Sequence, residues 1–396
     1  MWDADFFTSD YGQWLLSARR SHRRIYLQIN GVEPRSKSAM PVADSTAFRE
    51  AVRGQLEARR RRPHRGPIVL TLRLRTSAQN PGHIHTITKN LLDLLGTQAK
   101  GSGSSRGLLY NDDKQIHGLV VSCEHGAEQP SIFISSRSLG DFRQELATVA
   151  YGRAGTHWHD LADEDRLAAS WSDKEKAQRA LLGDSRLRIR HLANLFRAID
   201  QTFPFTKQLL DDLAERSESH LLEQPFRIAV GEPPGDVGSS QGFRSRLSEA
   251  VAVFRERFKR LLTPLLIPVA LEVVVKSPRS FTTHAVHDLD NLLRRYLIPV
   301  IVETFQPPSH FLWALERQSS ESFGIRQSVL QSPTRSRLPQ SAAIGLIRME
   351  AWRIPRAEDD NTPGFVSLAL VADDFGYRDS VSSVDRMVDA WADSLR

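Results

Sequence analysis

The chain has 396 residues, 40% of them hydrophobic, with 53 Lys and Arg against 47 Asp and Glu and a single cysteine, Cys123. This supports a substantial core and about two domains, while a lone cysteine excludes an internal disulfide and a cysteine-based zinc site and points to a reducing compartment. No apolar run approaches the roughly 18 residues of a membrane helix, and the acidic start "MWDADFFTSDYGQWLLSARR" lacks the basic end and apolar centre of a secretory signal, so a cytoplasmic protein with no membrane attachment is expected.

The net charge of +6 is modest but clustered, in "ARRSHRR" (18–24) and "RRRRPHR" (59–65). Arginine forks onto phosphate, so such clusters suit a polyanionic partner, although a solvated face is the plainer alternative.

In chain order, "IYLQINGVEPRSK" (25–37) reads as a strand ending in a turn. An Arg-rich helix, a proline and an apolar strand follow in "FREAVRGQLEARRRRPHRGPIVLTLRLR" (48–75). "HIHTITKNLLDLLG" (83–96) has leucines at helical spacing, and "KGSGSSRG" (100–107) is a flexible linker. "IHGLVVSC" (116–123) and "PSIFISSRSLGDF" (130–142) are strands leading to a last helix. From 155 to 224, amphipathic helix is expected, including "DKEKAQRALLGDSRLRIRHLANLFRAIDQ". Its flanking "THWHD" (156–160) spaces two histidines poorly for one helix face.

The plan then starts again. "FRIAVGEPPG" (226–235) matches the first strand, and "FRSRLSEAVAVFRERFKRLLTPLLIPVALEVVVK" (243–276) repeats the Phe-Arg start, helix, proline and strand. "DLDNLLRRYLIP" (288–299) takes the place of 83–96, "AIGLIRMEAW" (343–352) that of 116–123, and "PGFVSLALVADDF" (363–375) that of 130–142. The expected fold is therefore α/β (α+β), with an N-terminal segment 1–22, a lobe 23–154, a helical connector 155–224 and a second lobe 225–396. Each lobe should be a mixed sheet with flanking helices.

Asp288 and Asp290 stand one residue apart at the mouth of an apolar helix, where each raises the cost of ionising the other unless a cation is near. An aspartate at a helix start also serves as an N-cap. "DLDNLLR" (288–294) resembles the Asp-x-Asp-Asn-x-x-Lys motif of RusA-type Holliday junction resolvases, and "YNDDKQI" (110–116) resembles their following Asp-Asp-x-x-Ile element. Lys89, Leu92 and Asp93 fall where that family has its Lys-x-x-Leu-Asp run. Ser36 and Lys37 resemble its Pro-x-Ser-Lys loop.

The resemblance implies a small α/β fold that works as a dimer, here a pseudo-dimer within one chain, with a homodimer of the chain also possible. It implies acids that hold Mg2+, or Mn2+, to cut phosphodiester bonds of branched DNA. Asp288, Asp290, Asp112 and Asp113 are then the catalytic candidates, with Asp288, Asp290 and Asp113 as metal ligands. Lys89, Arg294 and Lys37 are the DNA phosphate contacts. Elementary chemistry agrees, since phosphodiester hydrolysis needs an activated water and a clamp on the departing charge, and a few carboxylates suffice to hold magnesium.

The lobes divide this pattern unevenly. The first has His83 and His85 where the second has Asp288 and Asp290, and the second has no carboxylate in "RLPQSAAIGLIR" (337–348). The pair Asp373 and Asp374 reads as a turn. The remnants are pooled into one asymmetric nuclease, across a cleft within the chain or across a dimer of it, or catalysis has decayed and a DNA-binding or acidic-partner scaffold remains, or His83, His85 and Asp113 hold a softer metal. The long segment 306–340 is rich in Ser, Gln and Pro, and its Phe311 and Trp313 could stack on unpaired bases.

Overall fold

The computed structural model describes residues 23–78, 82–96, 107–125, 127–155, 227–234, 240–257, 269–278, 288–305, 346–354, 361–372 and 383–395, with a few positions between 210 and 222. The linker 100–106, "THWHD", most of the connector, the segment 306–345 with Phe311 and Trp313, and Asp373 and Asp374 lie outside them. The fold is mixed α/β. Two compact units are formed, one from Tyr26–Leu139 with Gln224–Phe375, the other from Met1–Ile25, Gly140–Glu223 and Gly376–Arg396.

The first of these units contains an eight-stranded sheet. Its strands are β1 (Ile25–Asn30), β2 (Ile68–Thr76), β3 (Ile116–His125), β4 (Ser131–Ser138), β5 (Ile228–Gly231), β6 (Val269–Lys276), β7 (Leu346–Ile354) and β8 (Phe365–Ala372), in the order β1-β4-β2-β3-β7-β6-β8-β5. From either edge inward, each half places its own first, fourth, second and third strand. β2 runs parallel to β3 and antiparallel to β4, as β6 does to β7 and β8. The register slips at the same place in both: Ile68↔Ile116 is followed by Val69↔Gly118, and Val269↔Leu346 by Ala270↔Arg348. β3 and β7 join the halves antiparallel, with Gly118 opposite Trp352 and Val120 opposite Glu350.

Gly118 is required at this seam. A Cβ there would lie 2.5 Å from Cζ3 of Trp352, far inside van der Waals contact.

Alternation builds the core. Leu70, Leu72 and Leu74 of β2 are buried, and helix α1 (Val42–Ala58) presents Phe48, Val52 and Leu56 at four-residue spacing. α1 ends in a Schellman motif: the Arg61 amide donates to the Leu56 carbonyl at 2.8 Å and the Arg60 amide to that of Glu57 at 2.9 Å. Its left-handed residue is Arg60, with φ of 51°, a conformation that costs an L side chain about 1–2 kcal/mol.

Helix α2 (Ile84–Leu95) buries Ile84, Ile87, Leu91, Leu92 and Leu95. The other unit contains α3 (Leu139–Gly155), which is tied to the start of the chain by Arg23–Asp141 and Arg24–Glu145 ion pairs at 2.8 and 2.5 Å. Returning to the sheet unit, α4 (Ser240–Arg257) buries Phe243, Leu247, Val251 and Phe254.

The helix foreseen at 288–299 runs further. It begins as α5 (Leu289–Leu292), passes through a π-helical turn (Leu293–Leu297) and continues as α6 (Ile298–Phe305). Pro299 has no N–H to return to the Arg295 carbonyl. Arg244 Nη2 donates to that carbonyl instead, at 2.9 Å, so the widened turn has a side chain in place of the missing backbone donor. The last helix is α7 (Ser383–Leu395), in the same unit as α3.

Strand β6 departs from the expected apolar run at Glu272, which is buried. Arg227 neutralises it with a 2.6 Å ion pair and donates to Ser367 Oγ at 2.9 Å.

Candidate functional site

Elements that carry predicted acids from the two halves of the sequence meet on the seam. α2 and α5 both lie against β3 and β7, and Cα atoms of α5 come within 8 Å of those of the 3-10 turn Asp113–Gln115. α5 carries Asp290 and begins immediately after Asp288. The π-helical turn with Arg294 likewise approaches α2 within 8 Å between Cα atoms.

Asp112 and Asp113 have separate tasks. The exposed Asp112 caps the 3-10 turn, with Oδ1 accepting from the Lys114 amide at 3.0 Å and Oδ2 facing Lys114 Nζ at 3.2 Å. Gln115 completes the capping box by accepting from the Asn111 and Asp112 amides at 2.8 and 3.0 Å. Asp113 is turned towards α2, where Lys89 donates to its Oδ2 at 2.9 Å.

Lys89 also bridges to Asp93 Oδ1 at 3.0 Å, one turn along α2, and Lys37 lies 3.5 Å from Asp93 Oδ2. Asp93 thus gathers two of the three predicted phosphate contacts. Lys37 is highly exposed, so its ion pair contributes little to stability.

Asp288 is buried and accepts from Asn291 Nδ2 at 3.4 Å, while its carbonyl receives the Leu292 amide. The mostly buried Arg353 of β7 senses its charge: burial pushes the guanidinium pKa down, and Asp288 opposes that shift. The side chain of Asp290 lies outside the described residues. Arg353 was missed by the sequence reading. The available signal was an arginine in phase with Met349 and Ala351 on a strand buried on both faces.

His83 precedes α2 as its N-cap residue and makes no side-chain capping bond. Its ring stacks on that of His85, with centroids 5.5 Å apart. Burial, then the neighbouring His83 and Arg294, push the His85 pKa down to about 4, so this imidazole is neutral at physiological pH. Arg294 therefore sits close enough to α2 to act on its histidine.

Among the described residues no group of three or more His, Cys, Asp or Glu side chains is placed to hold a metal. Asp113 and Asp288 nonetheless offer the hard oxygen donors that suit Mg2+. Cys123 is buried with its thiol pushed up to about 12, which rules it out as a nucleophile. No helix among the described residues is long and apolar enough to cross a membrane.

The loop that follows α1 is attached to the acidic turn. The His64 amide donates to the Leu109 carbonyl at 2.8 Å, His64 and Tyr110 form a parallel bridge, and Gln115 Nε2 donates to the carbonyls of His64 and Gly66 at 3.1 and 2.9 Å. These bonds attach the loop that carries part of the "RRRRPHR" cluster to the segment that bears Asp113. Comparison of the chain with protein-family models, curated proteins and solved structures finds no match.

Proposed function

We propose that the chain is a RusA-like pseudo-dimer folded from one polypeptide, and that it is a Mg2+-dependent, structure-selective endodeoxyribonuclease acting on branched DNA. The tandem reading is supported by the repeated strand order and by the register slip at the same pair in each half. The functional reading is carried by one observation: the helix with Asp290, preceded by Asp288, approaches the turn with Asp113 within 8 Å between Cα atoms. This contact between elements from the two halves supports the pooling of their acids.

In this reading Asp113, Asp288 and Asp290 hold the cation. Bound Mg2+ supplies charge neutralisation and a water of lowered pKa. Lys89 and Arg294 place a backbone phosphate beside the acids, with Arg294 offering a fork where the family motif has an ammonium. Asn291 orients Asp288 through its amide. Asp112 keeps the 3-10 turn in shape.

A second reading, a DNA-binding or acidic-partner scaffold that has lost catalysis, is favoured by a specific feature. Lys89 already neutralises Asp113, and Arg353 stands near Asp288. A labelled four-way junction incubated with wild-type and Asp290→Asn protein, with and without Mg2+, separates the two. Metal-dependent cutting lost in the variant supports the nuclease; equal binding with no cutting by either supports the scaffold.

A further inference from the structure

We propose that Arg60, Arg62 and Arg65 form a phosphate-binding ridge that holds the DNA backbone in register with the acidic turn. This rests on the branched-DNA reading above and names how that site takes its substrate.

Three independent features support it. All three side chains are exposed and make no hydrogen bond or ion pair among the described residues, so their charge is available to a ligand. The loop that bears Arg62 and Arg65 is attached to the Asp113 turn by the His64 and Gln115 bonds, which places the ridge beside the segment carrying that acid. Arg60 occupies the left-handed position of the Schellman motif, which glycine fills without strain. A backbone that tolerates this strain to keep a guanidinium at that corner has a use for the charge.

The partner is a sugar-phosphate backbone. Guanidinium forks match phosphate geometry, and a ridge joined to the acidic turn is placed to position a strand rather than to read bases. The second half carries only Lys259 and Arg260 in the corresponding stretch "FKRLLTPLLIP" (258–268), so the grip is one-sided.

The test uses the full chain, a labelled four-way DNA junction and a salt series. Arg60→Gly should raise the thermal midpoint while weakening junction binding, a combination that a merely structural arginine would not give. Arg62→Gln with Arg65→Gln should lower the slope of log affinity against log salt by about two, and lysine at both positions should restore it. Wild-type slope and affinity in both the Arg60→Gly and the double-glutamine variants would overturn the ridge, even if the wild type cuts the junction with Mg2+. Weakened binding by these variants with no cutting by any protein would support the ridge and overturn the nuclease reading alone.

Discussion

Lys89 donates to Asp113 across 2.9 Å, joining the helix of the first half to the turn that faces α5. In the proposed site this ion pair stands where a cation would bind, so the lysine competes with that cation. Lys89→Met should therefore strengthen Mg2+ binding, measured by calorimetry, while reducing junction cutting by about 10-fold or more through loss of a phosphate contact. Unchanged metal affinity would mean that Asp113 is no ligand.

At the seam, Gly118→Ala would drive a methyl into the Trp352 ring. Overpacking of this kind should cost about 1–3 kcal/mol in urea unfolding, and Trp352→Leu on the same background should recover part of it. Equal stability of Gly118→Ala and wild type would mean that β3 and β7 pair differently.

The buried Arg227–Glu272 pair predicts a strong asymmetry between single and double changes. Arg227→Met removes the ion-pair partner of a buried carboxylate and should destabilise by about 3–5 kcal/mol, whereas Arg227→Met with Glu272→Leu should cost far less. Chemical denaturation of the three proteins measures it.

His85 predicts a pH effect of known sign. Its folded pKa of about 4 lies below the ordinary value of 6.5, so the unfolded chain takes up the proton first, and stability falls as pH drops from about 6.5 to 4. The contribution is on the order of 3 kcal/mol. In His85→Gln that part of the acid destabilisation should vanish, so the stability gap to wild type should change across this window and stay flat above pH 7.

The element order was legible because hydrophobic periodicity and turn residues act locally: "IVLTLRL" and "VALEVVV" read directly as β2 and β6, and the repeated Phe-Arg helices announced α1 and α4. What the sequence left open depends on side chains meeting at long range. Nothing in "YNDDKQI" indicates that Asp112 is consumed in capping its own turn while Asp113 faces Lys89. Arg353 and Arg227 lie far along the chain from the acids they accompany, and nothing in the Lys-x-x-Leu-Asp run indicates that Asp93 gathers Lys37 and Lys89. The π-helical turn was hidden because the Arg244 side chain that meets the Arg295 carbonyl lies far from Pro299 along the chain.

The central claim is that acids from the two halves of a single chain act together, and complementation tests it most directly. Asp113→Asn and Asp290→Asn proteins are assayed singly and as an equimolar mixture on a four-way junction with Mg2+. The account predicts that wild type cuts, that each variant fails and that the mixture fails too, because no variant chain retains both acids. Cutting by Asp113→Asn alone, or activity regained on mixing, would contradict it.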